Sequence, residues 1–149
     1  MASRPNPLVV LVPGILHMPT HFQLLILALK TKGYDSVAVS LPNIGPGAAT
    51  AQPGDDARAV RSIVERCVVR DQQDVVLVCH SFGGMAGCQA VNGLEAIARA
   101  EAGERGGVRG VVFLNAFIVK EGESALDALI RTGQEPPPWI EHDVSVLKQ

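Results

Sequence analysis

Ser81 is the residue in this chain best placed to do chemistry. It stands in the run Val75-Val76-Leu77-Val78-Cys79-His80-Ser81-Phe82-Gly83-Gly84-Met85-Ala86-Gly87. A β-branched stretch of this kind suits a strand covered on both faces, and the glycines after it let a helix begin tight against that strand. A serine at the tip of such a turn has its hydroxyl exposed. The first backbone N–H groups of the helix point past it toward any oxygen bound there. That arrangement suits a nucleophile attacking a carbonyl, whose developing negative oxygen is held by main-chain donors. The alternative is a glycine-rich turn that binds nothing, or one that holds a phosphate at the helix N-terminus. The phosphate reading lacks a Lys or Arg nearby in the sequence.

The stretch Cys79-His80-Ser81-Phe82-Gly83 resembles the Gly-x-Ser-x-Gly turn of the α/β-hydrolase family, with Cys79 where the family usually has glycine. His80 before the serine and the doubled Gly83-Gly84 after it are also family-like. A second stretch, Pro13-Gly14-Ile15-Leu16-His17-Met18-Pro19, resembles the family's His-Gly-x loop, with Pro13 in place of the histidine and Gly14 keeping the glycine. The resemblance implies Ser81 as nucleophile and the backbone N–H groups of Ile15 and Phe82 as oxyanion donors, with Gly14 and His17 at the edge of a pocket. Read without the resemblance, Pro13-Gly14 is a general turn signal and the stretch a plain strand-to-helix loop.

The elements that must position these residues follow in order. Leu8 to Val12 reads as a first strand, too short for a membrane span or a signal peptide, and Thr20 as the cap of a helix carrying Phe22, Leu25, Ile26 and Leu29 inward. Ser36 to Leu41 reads as a second strand in a right-handed parallel βαβ unit. The breaker-rich loop from Pro42 to Asp56 opens with Leu41-Pro42-Asn43-Ile44-Gly45, which resembles the family's Leu-Pro-Gly-x-Gly. Asp55 or Asp56 is expected to cap a helix with Val60, Ile63, Val64, Cys67 and Val68 at helical spacing, leading to the serine strand. Beyond the turn, Met85, Cys88, Ala90 and Val91 are expected to pack on the sheet. Glu95 to Glu104 reads as a helix, Val108 to Phe117 as a fourth strand and Ser124 to Arg131 as a short amphipathic helix.

Composition sets the bounds. The 149 residues suit one domain, with a net charge of −2 and 13 unclustered Lys and Arg, which offers no electrostatic footprint for nucleic acid or an anionic membrane. Hydrophobic residues are 47 % and aromatics 4 %, so the core should be aliphatic. Three cysteines, Cys67, Cys79 and Cys88, each lie in an apolar segment and are expected to be buried and reduced, as in a cytoplasmic protein. Cys79, His80 and Cys88 match no common zinc spacing; no metal and no cofactor is expected.

The reading that results is an α/β fold, a doubly wound, mainly parallel sheet of about four strands in the order second, first, third, fourth. It is a shortened α/β-hydrolase core over residues 8–117 with the start of a cap-like segment at 118–149, one domain over 1–149. The resemblance is in particular to small-ester and methyl-ester hydrolases and implies a small-molecule ester as substrate. The family's acid and histidine follow later strands than this sequence contains. His142 is left as a weak candidate base, Asp127 as a weak acid, and Asn115 is a neutral amide where an acid would be useful. His17 and His21 border the presumed oxyanion loop, and His80 is expected to point away from the serine. The alternative reading is a non-catalytic hydrolase-like binding domain. The fourth strand, left at an edge, is expected to invite self-association.

Overall fold

The computed structural model describes residues 6–45, 48–52 and 54–135. The aliphatic runs form four parallel strands, β1 (Leu8–Val12), β2 (Ser36–Ala38), β3 (Asp74–His80) and β4 (Gly107–Leu114), in the order β2-β1-β3-β4. The expected order and fold class hold. Helices α1 (Gln23–Thr31), α2 (Asp55–Glu65), α3 (Gly83–Ala90), α4 (Ala96–Glu101) and α5 (Ala125–Arg131) complete the chain, with α2 running on as one π-helical stretch, Arg66–Arg70.

Strand alternation divides the core into two layers, because successive side chains leave a strand on opposite faces. On one face Val10 and Val12 of β1 and Val75, Leu77 and Cys79 of β3 meet Val60, Val64, Cys67 and Val68 of the second helix and Ala86 and Ala90 of α3. On the other, Val9, Leu11 and Val78 meet Phe22, Leu25, Ile26 and Leu29.

Several element ends differ from the sequence expectation for local reasons. Thr20 does not cap α1: a 3-10 turn, Pro19–Phe22, precedes it, and the Met18 N–H donates to His21 Nδ1 at 2.9 Å. Neither Asp55 nor Asp56 is the cap of α2. Gly54 is, in the left-handed region, while Asp55 Oδ2 accepts from Gln52 N–H at 2.6 Å and Asp56 Oδ1 from Asn43 N–H at 3.2 Å. β2 stops at Ala38, although Val39 N–H still donates to Leu11 O at 2.9 Å. The breaker-rich loop holds a 3-10 turn, Ala48–Thr50. α4 covers only Ala96–Glu101 of the stretch expected to be helical, because Gly103 takes a φ of 76° and the Glu104 N–H donates back to the Arg99 carbonyl at 2.9 Å, closing the helix. β4 ends at Leu114, three residues early, as Asn115 takes a φ of 47° and turns the chain. Ser124 caps α5 in a reciprocal box with Asp127.

The buried side of α3 is Gly83, Gly84, Ala86, Gly87 and Ala90, and Cys88 is exposed, against the expectation that it would pack inward. Small residues let the helix axis come close to the sheet. A Cβ on Gly87 would collide with Cys79 Sγ, so the cysteine that replaces the usual glycine of the turn is accommodated by a glycine one turn into the helix. Burial, with Cys88 close by, pushes the Cys79 thiol up to about 12. It stays protonated at neutral pH.

Gly87→Ala should therefore lower stability by about 1–3 kcal/mol, the usual range for overpacking. Cys79→Ala in the same chain should recover part of that loss. Chemical denaturation of the two single variants and the double variant measures the coupling.

Candidate active site

The carboxyl ends of β1 and β3 lie side by side, with Val12 paired to Cys79, so the two loops that leave them are neighbours. Open α/β sheets bind ligands at this end. Ser81 sits in the turn between β3 and α3 with φ 52°, a left-handed conformation that L-residues adopt at a cost. Its carbonyl accepts from Gly84 N–H at 3.1 Å and from Phe117 N–H at 3.0 Å, which ties the turn to both the new helix and the segment after β4.

The loop after β1 closes on the serine because it carries no side chain there. A Cβ built on Gly14 would stand 2.8 Å from Ser81 Cβ and 3.2 Å from His80 Nδ1. A Cβ on Gly83 would stand 2.5 Å from the Pro13 carbonyl oxygen, and one on Gly84 would collide with the Phe117 carbonyl. Gly14, Gly83 and Gly84 thus let three chain segments meet around one hydroxyl. Among the described residues, the N–H groups of Ile15 and Phe82 donate to no protein acceptor, and both flank Ser81 in this packing.

His17 lies in the loop after β1, and it is joined there by two more imidazoles. Its Nδ1 is 2.8 Å from the Ile15 carbonyl, which makes Nδ1 the protonated nitrogen and spans the turn at Leu16, where φ is 62°. The His17 ring packs edge-on against His80 at 5.0 Å and against His21 at 5.1 Å. His80, the last residue of β3, is thus turned toward the loop after β1. Burial, and then the neighbouring His17, hold its pKa below the usual histidine value. No sequence spacing joins residue 80 to residue 17; only the β1–β3 pairing does so.

Other candidates are placed elsewhere. Asp127 is occupied by the Ser124 hydroxyl at 2.6 Å and backbone N–H at 2.9 Å, in the cap of α5. Asn115 lies exposed at the end of β4. His142 lies outside the described residues, and among the described residues Ser81 Oγ has no hydrogen-bonded imidazole or carboxylate. Among the described residues no group of three or more His, Cys, Asp or Glu is arranged to hold a metal ion. No helix among them is long and apolar enough to cross a membrane. A concavity of about 650 Å³ lies at the opposite end of the sheet, between Leu8, Asp35, Asp74 and Arg109, remote from Ser81.

Comparison with known proteins gives a consistent result. A model of the alpha/beta hydrolase family matches residues 9–147. A probable hydrolase, R7, of Phoma sp. is 38 % identical over 129 residues, which are 83 % of this chain and 48 % of the relative. The alpha/beta hydrolase nvfD of Aspergillus novofumigatus is 35 % identical over 144 residues, 95 % of this chain and 56 % of the relative. The chain thus spans about half the length of these curated relatives. Among solved structures, polyneuridine aldehyde esterase superposes with a TM-score of 0.68 at 21 % identity, covering 93 % of this chain and 51 % of that one. Tomato methylketone synthase I, complexed with 2-tridecanone, gives a TM-score of 0.63 at 18 % identity, covering 86 % of this chain and 46 % of that one.

Two measurements check the geometry of the turn. Ser81→Gly should be more stable than Ser81→Ala by about 1 kcal/mol, because only glycine adopts the left-handed conformation without a Cβ clash. Equilibrium unfolding of the two variants decides it. Because the folded His80 pKa lies below that of the unfolded chain, the unfolded state takes up the extra proton. Its contribution is complete above the ordinary histidine pKa of about 6.5 and lost as pH falls through the lower folded value. His80→Gln should flatten that part of the stability profile, measured by thermal melts in a pH series.

Proposed function

Because the chain belongs to the α/β-hydrolase family, we propose that it carries the nucleophile half of a serine hydrolase site for carboxylic esters. Ser81 is the nucleophile and the N–H groups of Ile15 and Phe82 are the oxyanion donors. The observation that carries this reading is the left-handed Ser81, held between the loop after β1 and the N-terminus of α3. A hydroxyl at the tip of this turn adds through Oγ to an ester carbonyl carbon, and the charge that develops on the carbonyl oxygen falls between two main-chain donors that have no protein partner among the described residues. The hydroxyl proton leaves to a base, the alcohol departs with a proton, and water then cleaves the acyl-serine. The esterase named among the solved neighbours supports an ester as substrate. Gly14 and His17 border the acyl group, and the ester is small and uncharged.

Among the described residues no base is bonded to Ser81 Oγ. A serine hydroxyl without a positioned base is a poor nucleophile at neutral pH. Loss of the triad histidine in a serine protease costs about 10⁶ in turnover and leaves ~10³ to 10⁴ over water, from binding and oxyanion stabilisation. The same observation, that Ser81 Oγ has no base bonded to it among the described residues, favours a second reading: a hydrolase-like domain that binds its ligand without turning it over.

A fluorophosphonate tests the nucleophile, since it reports a competent serine even when turnover is slow. The folded wild type should be labelled slowly and stoichiometrically on Ser81, as located by peptide mass spectrometry, and Ser81→Ala should not. Absence of labelling in protein shown to be folded, with ligand binding that survives Ser81→Ala, would establish the binding domain instead. With a nitrophenyl ester, wild type should show only the remnant rate. Saturable turnover near ~10 s⁻¹, an ordinary enzyme value, abolished by His142→Ala, would overturn that expectation.

A further inference from the structure

The loop after β1 is held in shape by two imidazoles with opposite hydrogen-bonding roles. His17 N–H donates to the Gly14 carbonyl at 3.2 Å, and the His17 Nδ1–H donates to the Ile15 carbonyl at 2.8 Å. The first of these bonds bears on the site directly. A peptide unit is planar and trans, so the Gly14 carbonyl and the Ile15 N–H point in opposite directions, and fixing one aims the other. His17 is held in turn by the residues after it. Met18 N–H donates to His21 Nδ1 at 2.9 Å, and His21 N–H donates back to the Met18 carbonyl at 3.0 Å, which closes the turn through Pro19 and Thr20. Leu16 lies inside this loop at φ 62°, a conformation whose cost these bonds offset.

Protonation separates the two rings. His17 uses Nδ1 as a donor, and a proton added at its Nε2 leaves that bond intact. His21 uses Nδ1 as an acceptor, and a proton added there sets N–H against N–H and removes the bond. We propose that His21 is a positioning residue that aims the Ile15 N–H through Met18 and His17, and that it acts only as the neutral imidazole, so that acid loosens the oxyanion loop. This rests on the role proposed above for the Ile15 N–H. The titratable groups that face His21 are His17, edge-on at 5.1 Å, and through His17 the ring of His80 from β3, at 5.0 Å from it. Protons on both His17 and His21 set two positive charges at the first of these spacings. Among the described residues no carboxylate is paired with any of the three imidazoles. α1, which follows the turn, has no acidic residue in its first turn and its basic residue, Lys30, in its last, so the positive end of its dipole is what lies next to His21. The loop is therefore closed above the range in which histidines titrate and loosens as pH falls through it.

The experiment follows the isotope-labelled full chain by NMR from about pH 8 to about pH 5, the range in which histidines exchange protons. In the wild type the Met18 amide proton should have a hydrogen-bonded shift at the upper end and move upfield as pH falls, on the same curve as the His21 imidazole nitrogens. His21→Asn places Oδ1 where Nδ1 stood, an acceptor that does not titrate, and should hold the Met18 amide at the bonded shift throughout. His21→Ala should show the unbonded shift at every pH. Fluorophosphonate labelling of Ser81 reads the consequence for the site, as the ratio of the wild-type rate to that of His21→Asn, in which the contributions of base and reagent cancel. The ratio should be near unity at the upper end and fall with pH toward the ~10²-fold that loss of one oxyanion donor costs. A Met18 shift that ignores the His21 titration, a titration that survives His21→Asn, or a ratio that stays at unity would overturn the proposal. Absence of labelling at every pH, with the Met18 titration in place, would instead overturn the nucleophile reading and leave His21 as the acid-sensitive support of the loop.

Discussion

The carbonyl of Ser81 holds the carboxyl end of the sheet together. It accepts one hydrogen bond from inside α3 and one from Phe117, beyond the last strand. Each is worth about 1 kcal/mol net, which is comparable to the ~1–2 kcal/mol that a left-handed L-residue costs. The strain of the turn is thus opposed locally by bonds that exist only when β3, α3 and β4 are all in place. The glycines at 14, 83 and 84 serve the same end, since a methyl group on any of them would displace one of the three segments. The serine's conformation is a property of the assembled sheet end rather than of the pentapeptide around it.

Much of this was legible in the sequence. The four aliphatic runs separated by amphipathic helices specify a parallel sheet, and the β-branched run ending in His80-Ser81-Phe82-Gly83-Gly84 marks its turn. What could not be read was whatever depends on residues far apart in the chain. Gly87 is an ordinary helical glycine until Cys79 is placed beneath it. His80 belongs to a strand and His17 to a loop, and their contact follows from the pairing of β1 with β3. Helix starts failed for a different reason. Thr20, Asp55 and Asp56 are all competent caps, but His21 and Gly54 compete for those positions, and the aspartates serve loop N–H groups instead. On α3, Ala90 and Val91 pack inward as read and Cys88 does not, and the buried glycines were passed over because glycine carries almost no hydrophobic signal.

The two faces of the sheet are unequal. One is covered by α2, its π-helical extension and α3, and contains most of the fully buried side chains. The other, among the described residues, is packed by α1 with Phe22 and Tyr34 at its ends, against Val9 and Leu11 of β1. The cluster of His17, His21 and His80 lies where this thinner layer meets the carboxyl end of the strands, so the imidazoles are neither sealed in the core nor free in water. Partial desolvation is what depresses His80. A group in that position responds to whatever comes to cover the face.

The strand order also has a temporal side. β1 is central and pairs first in sequence with β2, but its other neighbour is β3, whose partner residues are encountered only after α2 has been made. During synthesis the βαβ unit of β1, α1 and β2 therefore exists with one flank of β1 unpaired and strongly apolar. Closing that flank requires a long loop to be ordered before any contact rewards it. The vulnerable edge passes from β1 to β3 to β4 as the chain lengthens. At each stage the growing protein presents a sticky, hydrogen-bond-hungry strand of the kind that chaperones shield in nascent chains.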